Sequence, residues 1–181
     1  MRPALELTSV PEWAVRPTQP AADLSGRCWT IIAIGAAGMQ VAQRWSAEIA
    51  AVSAQSEVRL HPTPDGDDGE SACTALRRDL ADARVGWRLM IAGPASACLK
   101  VRAEALAAGV ADDEMTVGST EVARRAVRCV HCRTVTTASV ALEDVLVCAG
   151  CARNIVVHYH VSRLQGAHLG YMADAEQQVA S

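Results

Sequence analysis

Two Cys-x-x-Cys pairs, Cys129/Cys132 and Cys148/Cys151, enclose fifteen residues, Arg133 to Val147, near the end of the 181-residue chain. A Cys-x-x-Cys turn lets two sulfurs converge on one ion, and two such knuckles on opposite hairpins complete a tetrahedron. The separation of the pairs falls within zinc-ribbon spacing. The surrounding segment lacks the bulk for a core of its own. A bound ion supplies the missing stability, on the order of 10 kcal/mol of apparent binding energy in small zinc modules. Structural zinc held by Cys129, Cys132, Cys148 and Cys151 is therefore the expectation. Gly150, inside the second knuckle, is expected at a turn that needs a positive φ.

Iron is the alternative ion, since four thiolates suit both metals, and it would make the module an electron carrier. Rubredoxin-like knuckles usually carry Gly straight after the second Cys, where this chain has Arg133 and Ala152. A redox dithiol or a cage without metal is the third reading. Cys28, Cys73 and Cys98 fall at apolar positions, where buried, inert thiols are the default.

Upstream, the pattern is that of alternating strands and helices. Residues 1–25 hold four prolines and little periodicity, and read as an extended arm or a loosely held tail that Trp13 and Val15 can dock. CWTIIAIG, Cys28 to Gly35, is an apolar, β-branched run expected of a strand buried on both faces. MQVAQRWSAEIAAV has helical spacing, with Val41, Trp45, Ile49 and Val52 on one side. SEVRLHPT predicts a second strand, and SACTALRRDLADA a second helix capped by Ser71. GWRLMIAG predicts a third strand, PASACLKVRAEALAAG a third helix with Pro94 near its first turn and Gly109 past its end, and EMTVGS a fourth short strand. This order predicts an α/β fold, a small parallel three-layer sheet domain over 26–122, followed by a C-terminal zinc-ribbon β module over 123–181. The strand C-termini, with Gly35 and Gly93, should share the edge where such sheets bind ligands. Trp29, Trp45 and Trp87 are expected in the core.

In the second module, TVTTASVALEDVLV alternates like a hairpin and NIVVHYHVSR reads as a strand. The tail LQGAHLGYMADAE is expected to be a short amphipathic helix or irregular. His158 and His160, two apart on a strand, share a face, and Arg163 and Tyr171 can join them. No acid pairs with them, so a partner interface fits better than a catalytic site. Composition narrows the function classes. Formal net charge is −3, which argues against a nucleic-acid binder. The longest apolar run, near Trp29 to Met39, is too short and too rich in Gly and Ala to span a bilayer. The N-terminal residues lack the apolar run of a signal peptide. A cytoplasmic protein is expected, and there paired cysteines read as metal or redox groups.

The segment CVHC…CAGCARNIVVHYHVSRLQGAHLGYMADAE resembles the C-terminal domain of the small DmmA-like subunit of dimethylamine monooxygenase. The resemblance rests on the double knuckle, the H-x-S-R stretch His160 to Arg163, and Gly170-Tyr171. The α/β part resembles a shortened nucleotide-binding half of ferredoxin–NAD(P)H reductases. IAIGAAGM stands where those enzymes have Gly-x-Gly-x-Thr-Pro, and LMIAGP where they have Cys-Gly-Pro. Ala37 and Gly38 replace the Thr-Pro, and Ala92 replaces the Cys. Gly35, Gly38, Gly93 and Pro94 are thus the remaining candidates for cofactor binding. Together the resemblances imply a non-catalytic accessory subunit of an NADPH-dependent monooxygenase that removes a methyl group oxidatively. They also imply a haem-bearing catalytic partner and a flavin/iron–sulfur reductase partner. The haem and flavin/iron–sulfur groups would sit on those partners. An iron-carrying electron-transfer component and a degenerate NAD(P)H-sensing regulator are the alternatives.

Overall fold

The computed structural model describes residues 3–52, 55–66 and 69–173. The parallel strands are β1 (Cys28–Ile34), β2 (Glu57–Thr63), β3 (Trp87–Pro94) and β4 (Met115–Glu121), in spatial order β2-β1-β3-β4. The apolar runs of β1 and β3 enter the centre of the sheet where the sequence places them, because both of their faces are covered. One face of β1 and β3 (Trp29, Ile31, Ala33, Met90, Ala92) packs on helix α1 (Gly35–Val52) through Val41, Trp45 and Ile49. The other (Ile32, Ile34, Trp87, Leu89, Ile91) packs on helices α2 (Glu70–Leu80) and α3 (Ala95–Ala107). The result is the expected three-layer α/β domain, with Trp29, Trp45 and Trp87 all buried in it.

Two helix starts differ from the pattern. α1 opens at Gly35, four residues before the periodic stretch, directly off the end of β1. Ser71 does not cap α2: it lies inside the helix, and the cap is Gly69 with φ 98°. A left-handed entry of that kind suits glycine. At the end of α3, Gly109 has φ 92° just past the last turn, as expected of a helix stop.

The N-terminal arm is not a loose tail. It forms short 3-10 turns at Leu5–Leu7 and Glu12–Ala14 and buries Val10 and Ala14. Those two residues pack with Ala95 and Leu99 of α3 and with Val161 of the second module, flanked by Trp13 and Val15. Thr18 donates its N–H to Ser119 Oγ, and Ser119 returns its N–H to Thr18 O, so the arm also borders β4.

The second sheet has five strands, β5 (Arg124–Cys129), β6 (Val135–Ser139), β7 (Val145–Val147), β8 (Asn154–Ser162) and β9 (Ala167–Met172), in order β6-β5-β9-β8-β7. The alternating stretch after the first knuckle is not a hairpin on itself. β6 pairs with β5 and β7 with β8, so they form opposite edges of the sheet. Alternation reveals that a segment is a strand but not which strand it pairs with. The residues expected to be a helical or irregular tail form β9 at the centre of the sheet, parallel to β5 and antiparallel to β8. Residues 174–176 of that stretch lie outside the described residues. One face of the sheet holds a small core of Val127, Cys129, Cys148, Ile155 and Val157, joined by Val140, Leu142 and Leu146.

Candidate metal centre

The two knuckles are built alike. Cys129 ends β5 and Cys132 lies in the turn to β6; Cys148 follows β7 and Cys151 lies in the turn to β8. In the first, Arg133 N–H donates to Cys129 O and Cys129 N–H to Thr134 O, both at 2.9 Å. In the second, Ala152 N–H donates to Cys148 O and Cys148 N–H to Arg153 O, again at 2.9 Å. The same backbone loop thus occurs twice, and the intervening strands bring the copies face to face.

The four Sγ atoms lie within 4.8 Å of one another. Cys129 Sγ is 3.9 Å from Cys151 Sγ, and Cys132 Sγ is 3.5 Å from Cys148 Sγ. A tetrahedron with metal–sulfur bonds of about 2.3 Å has sulfur–sulfur edges of about 3.8 Å. The cage can therefore hold an ion such as zinc with little rearrangement. Its electrostatics point the same way. Hydrogen bonds from the Thr134 side chain and backbone hold the Cys132 thiol down to about 6. The backbone N–H groups of Cys151 and Gly150 hold Cys148 low, with Gly150 N 3.4 Å from its sulfur. Cys151 shows the opposite: the Arg153 backbone lowers it, but burial and three neighbouring sulfurs push it up to about 11. Four sulfurs this close resist full ionisation alone, and a divalent cation removes that resistance.

Gly150 serves a different purpose from the expected one. Its φ is not positive; a Cβ there would lie 2.2 Å from Thr134 Oγ1, so glycine lets the two knuckles approach. The left-handed residues of the two knuckles are Arg133 (φ 68°) and Ala152 (φ 57°), directly after the second cysteines. The backbone turn that favours glycine is therefore present without it, and the missing glycines do not separate iron from zinc. Thr134, which supports Cys132, carried no signal in the sequence, since a lone Thr in a loop is ordinary. Cys73 and Cys98 are inert as expected, pushed up to about 11 and about 12, chiefly by burial.

The edge where a nucleotide would bind is altered by the chain itself. Asp65, in the loop after β2, places Oδ1 3.1 Å from the Ala36 backbone N, at the first turn of α1. Gly35 (φ 72°) leaves room for it: a Cβ there would lie 2.3 Å from the same oxygen. Gly38 lets α1 meet β3, since its Cβ would stand 2.5 Å from Ala92 O. Gly93 packs against Ile34, and Pro94 caps α3. These four residues gather at the strand C-termini, but the anion position at α1 is taken by a carboxylate. The second module overhangs this edge and leaves a cleft of about 480 Å³ between Pro94, Ser96, Ala126, Val135 and Thr137.

The residues expected at a partner interface do not form one group. His158 and Tyr171 meet edge to face with ring centroids 5.2 Å apart, and both are exposed. His160 is exposed farther along β8, beyond a register shift between Val157 and Val161. Arg163 pairs with Asp112 of the α/β domain, so it ties the two modules together. Buried Arg125 ties the second module to the N-terminal arm, reaching Ala14 O at 3.4 Å as well as Val140 O of its own module at 2.6 Å.

Fold and site together define the class: a three-layer α/β domain joined to a β module that closes on a four-cysteine, zinc-ribbon-like cage. The DmmA-like resemblance is borne out. Residues 126–171 match the family described as dimethylamine monooxygenase subunit DmmA-like, C-terminal domain. The chain is also 40% identical, over 102 residues, to the heme-dependent oxidative N-demethylase delta subunit of Ectopseudomonas mendocina (strain ymp). That match covers 56% of this chain and 57% of the relative, so it spans little more than half of the relative's length. No solved structure matches the chain. Among the described residues, no helix is long and apolar enough to cross a membrane.

Proposed function

We propose that this chain is a non-catalytic accessory subunit of a multicomponent, NADPH-dependent monooxygenase that demethylates dimethylamine oxidatively in the cytoplasm. In this reading it docks or stabilises a haem-bearing catalytic subunit and a flavin/iron–sulfur reductase subunit, and zinc in the cage staples its C-terminal module. The observation that carries the proposal is the four-thiol cage, inside the segment that matches the DmmA-like family. The relative, a delta subunit of a heme-dependent oxidative N-demethylase, supports it. The use of the α1 first turn by Asp65 favours a role other than nucleotide chemistry on this chain. The test is reconstitution of demethylation from separately purified subunits. Activity or assembly should fall when this chain is omitted, and full activity without it would overturn the proposal.

A second reading has one observation in its favour. Arg133 and Ala152 adopt the left-handed turn despite lacking glycine, so an iron-loaded cage that passes electrons fits the backbone as well as zinc does. Anaerobic purification, a visible spectrum and a metal assay separate the two: one colourless zinc per chain supports the first, one iron with a thiolate band the second. The third reading, an NAD(P)H-sensing regulator, requires a heat of NADPH binding that is lost in Gly93→Trp.

A further inference from the structure

One face of the five-stranded sheet carries the module's core; the other borders the cleft toward α3 at Ala126, Val135, Thr137 and Ala167 and is open toward the knuckles. Val127, Cys129, Leu146, Ile155 and Val157 occupy its core side. Alternation sends their neighbours to the other side. There a row runs across the strands: Val145 pairs with Val156 and Val156 with Tyr171, and Val130 N–H donates to Gly170 O beside Tyr171. Val147 lies two residues from Val145 and shares its face. Val130, Val145, Val147 and Tyr171 are 41%, 55%, 60% and 40% exposed. A contiguous apolar patch of this kind marks an interaction surface more often than scattered single residues do.

Charge says what kind of surface fits it. Residues 123–181 contain six Arg (124, 125, 128, 133, 153, 163) and four acids, Glu143, Asp144, Asp174 and Glu176, for a formal +2. Residues 1–122 stand at a formal −5. Arg128 lies on the open face, paired with Leu169 and Val135. Arg133 and Arg153 are exposed at the knuckles beside it. A twofold pairing of two copies through this face would bring like charges together, because such an interface sets each patch against itself. A basic border around an apolar centre is instead complementary to an acidic border around an apolar centre.

We propose that the open face formed by Val130, Val145, Val147, Val156 and Tyr171 docks an apolar, acid-rimmed surface of another protein subunit. This inference rests on the accessory-subunit reading and names the surface it uses. His158 extends the patch through its contact with Tyr171. His160 and Arg163 lie outside it.

The test measures affinity of the metal-loaded full chain for the purified haem-bearing and reductase subunits. It compares wild type with Val147→Asp, Tyr171→Ser and, as a control on the α/β domain, Val85→Asp, a residue 95% exposed. Metal content per chain confirms that each variant is folded. Val147→Asp and Tyr171→Ser should each weaken binding to one subunit about tenfold or more, as central interface positions do, and Val85→Asp should leave it unchanged. Raising salt from about 50 to about 500 mM should weaken the wild-type complex, since the Debye length shrinks severalfold. Wild-type affinity in both face variants would overturn this inference and leave the accessory-subunit reading standing. Binding indifferent to salt would overturn the acidic-partner assignment. Failure of the wild-type chain to bind any subunit would overturn both readings. A dimer of this chain that the face variants dissociate would show that the occupant is a second copy.

Discussion

Asp65 Oδ1 accepts the backbone N–H of Ala36 at 3.1 Å, so the first turn of α1 is capped by a side chain from the loop after β2. Helix N-termini attract anions because unpaired N–H groups and the helix dipole converge there. Here the chain supplies the anion. Asp65→Ala should lower global stability by about 1 kcal/mol, the usual cost of losing an N-terminal cap, with Asp65→Asn milder. Chemical denaturation of the three proteins checks this. Titration of the wild type with millimolar NADPH should give no heat; a clear isotherm would revive the nucleotide-sensing reading.

Removing one thiolate should separate the two modules. Cys148→Ser leaves three sulfurs and a weaker fourth ligand. Metal should be lost and the five-stranded sheet should unfold, because its own core is small. The α/β domain should persist, with Trp45 still buried. Metal analysis with hydrogen exchange resolves the two regions separately. Full metal content in the variant would rule out the tetrathiolate.

The left-handed residues make a prediction of opposite sign. Arg133 and Ala152 hold φ of 68° and 57°, a region that costs a side-chain-bearing residue roughly 1–2 kcal/mol. Arg133→Gly and Ala152→Gly should each stabilise the metal-loaded module by a fraction of that, since glycine also gains freedom when unfolded. Thermal unfolding under equal metal loading measures the difference. Gly150→Ala should do the reverse, because its methyl group would collide with Thr134.

Acid should destabilise the chain through His168. Burial, with help from the nearby charge of Arg125, depresses this histidine to about 4, and its Nδ1 has no hydrogen-bond partner. The unfolded chain takes up the proton near 6.5, so the folded state binds fewer protons between those values. Its stability is fully present above about pH 6.5 and falls by about 1.4 kcal/mol per unit toward pH 4. Asp79 acts in the same direction at lower pH. Burial raises it, but hydrogen bonds from His61 and Thr30 and the nearby Arg59 charge outweigh burial and hold it below its ordinary value. Denaturant midpoints from pH 7 to pH 4, compared with His168→Leu, test the His168 part.

Much of the architecture could be read from local pattern. A buried strand must be apolar at every position, and a packed helix must repeat near every fourth residue. Cys28–Ile34 and Val41, Trp45 and Ile49 therefore announced their roles. The metal cage was legible for the same reason: two sulfurs three residues apart already specify a turn. Pairing was less legible. Val135–Ser139 and Val145–Val147 alternate as strands should, yet their partners are β5 and β8, set by the two knuckle turns. The strand Ala167–Met172 was missed because its small and polar residues, Ala167, His168 and Gly170, show no simple period; they are buried between two neighbours.

Amino-acid order alone was enough for the elements and for the metal-binding chemistry, because both depend on residues a few positions apart. Contacts between distant segments needed the folded chain. Asp65 reaches α1, Thr134 stands against Gly150, Arg163 reaches Asp112, and the arm wedges between modules. Each joins parts that carry no mutual signal in sequence, since their proximity arises only when both sheets have formed. The open face of the second sheet is likewise a tertiary result: alternation sorts Val145, Val147 and Tyr171 to one side, but only packing determines where that side stays open.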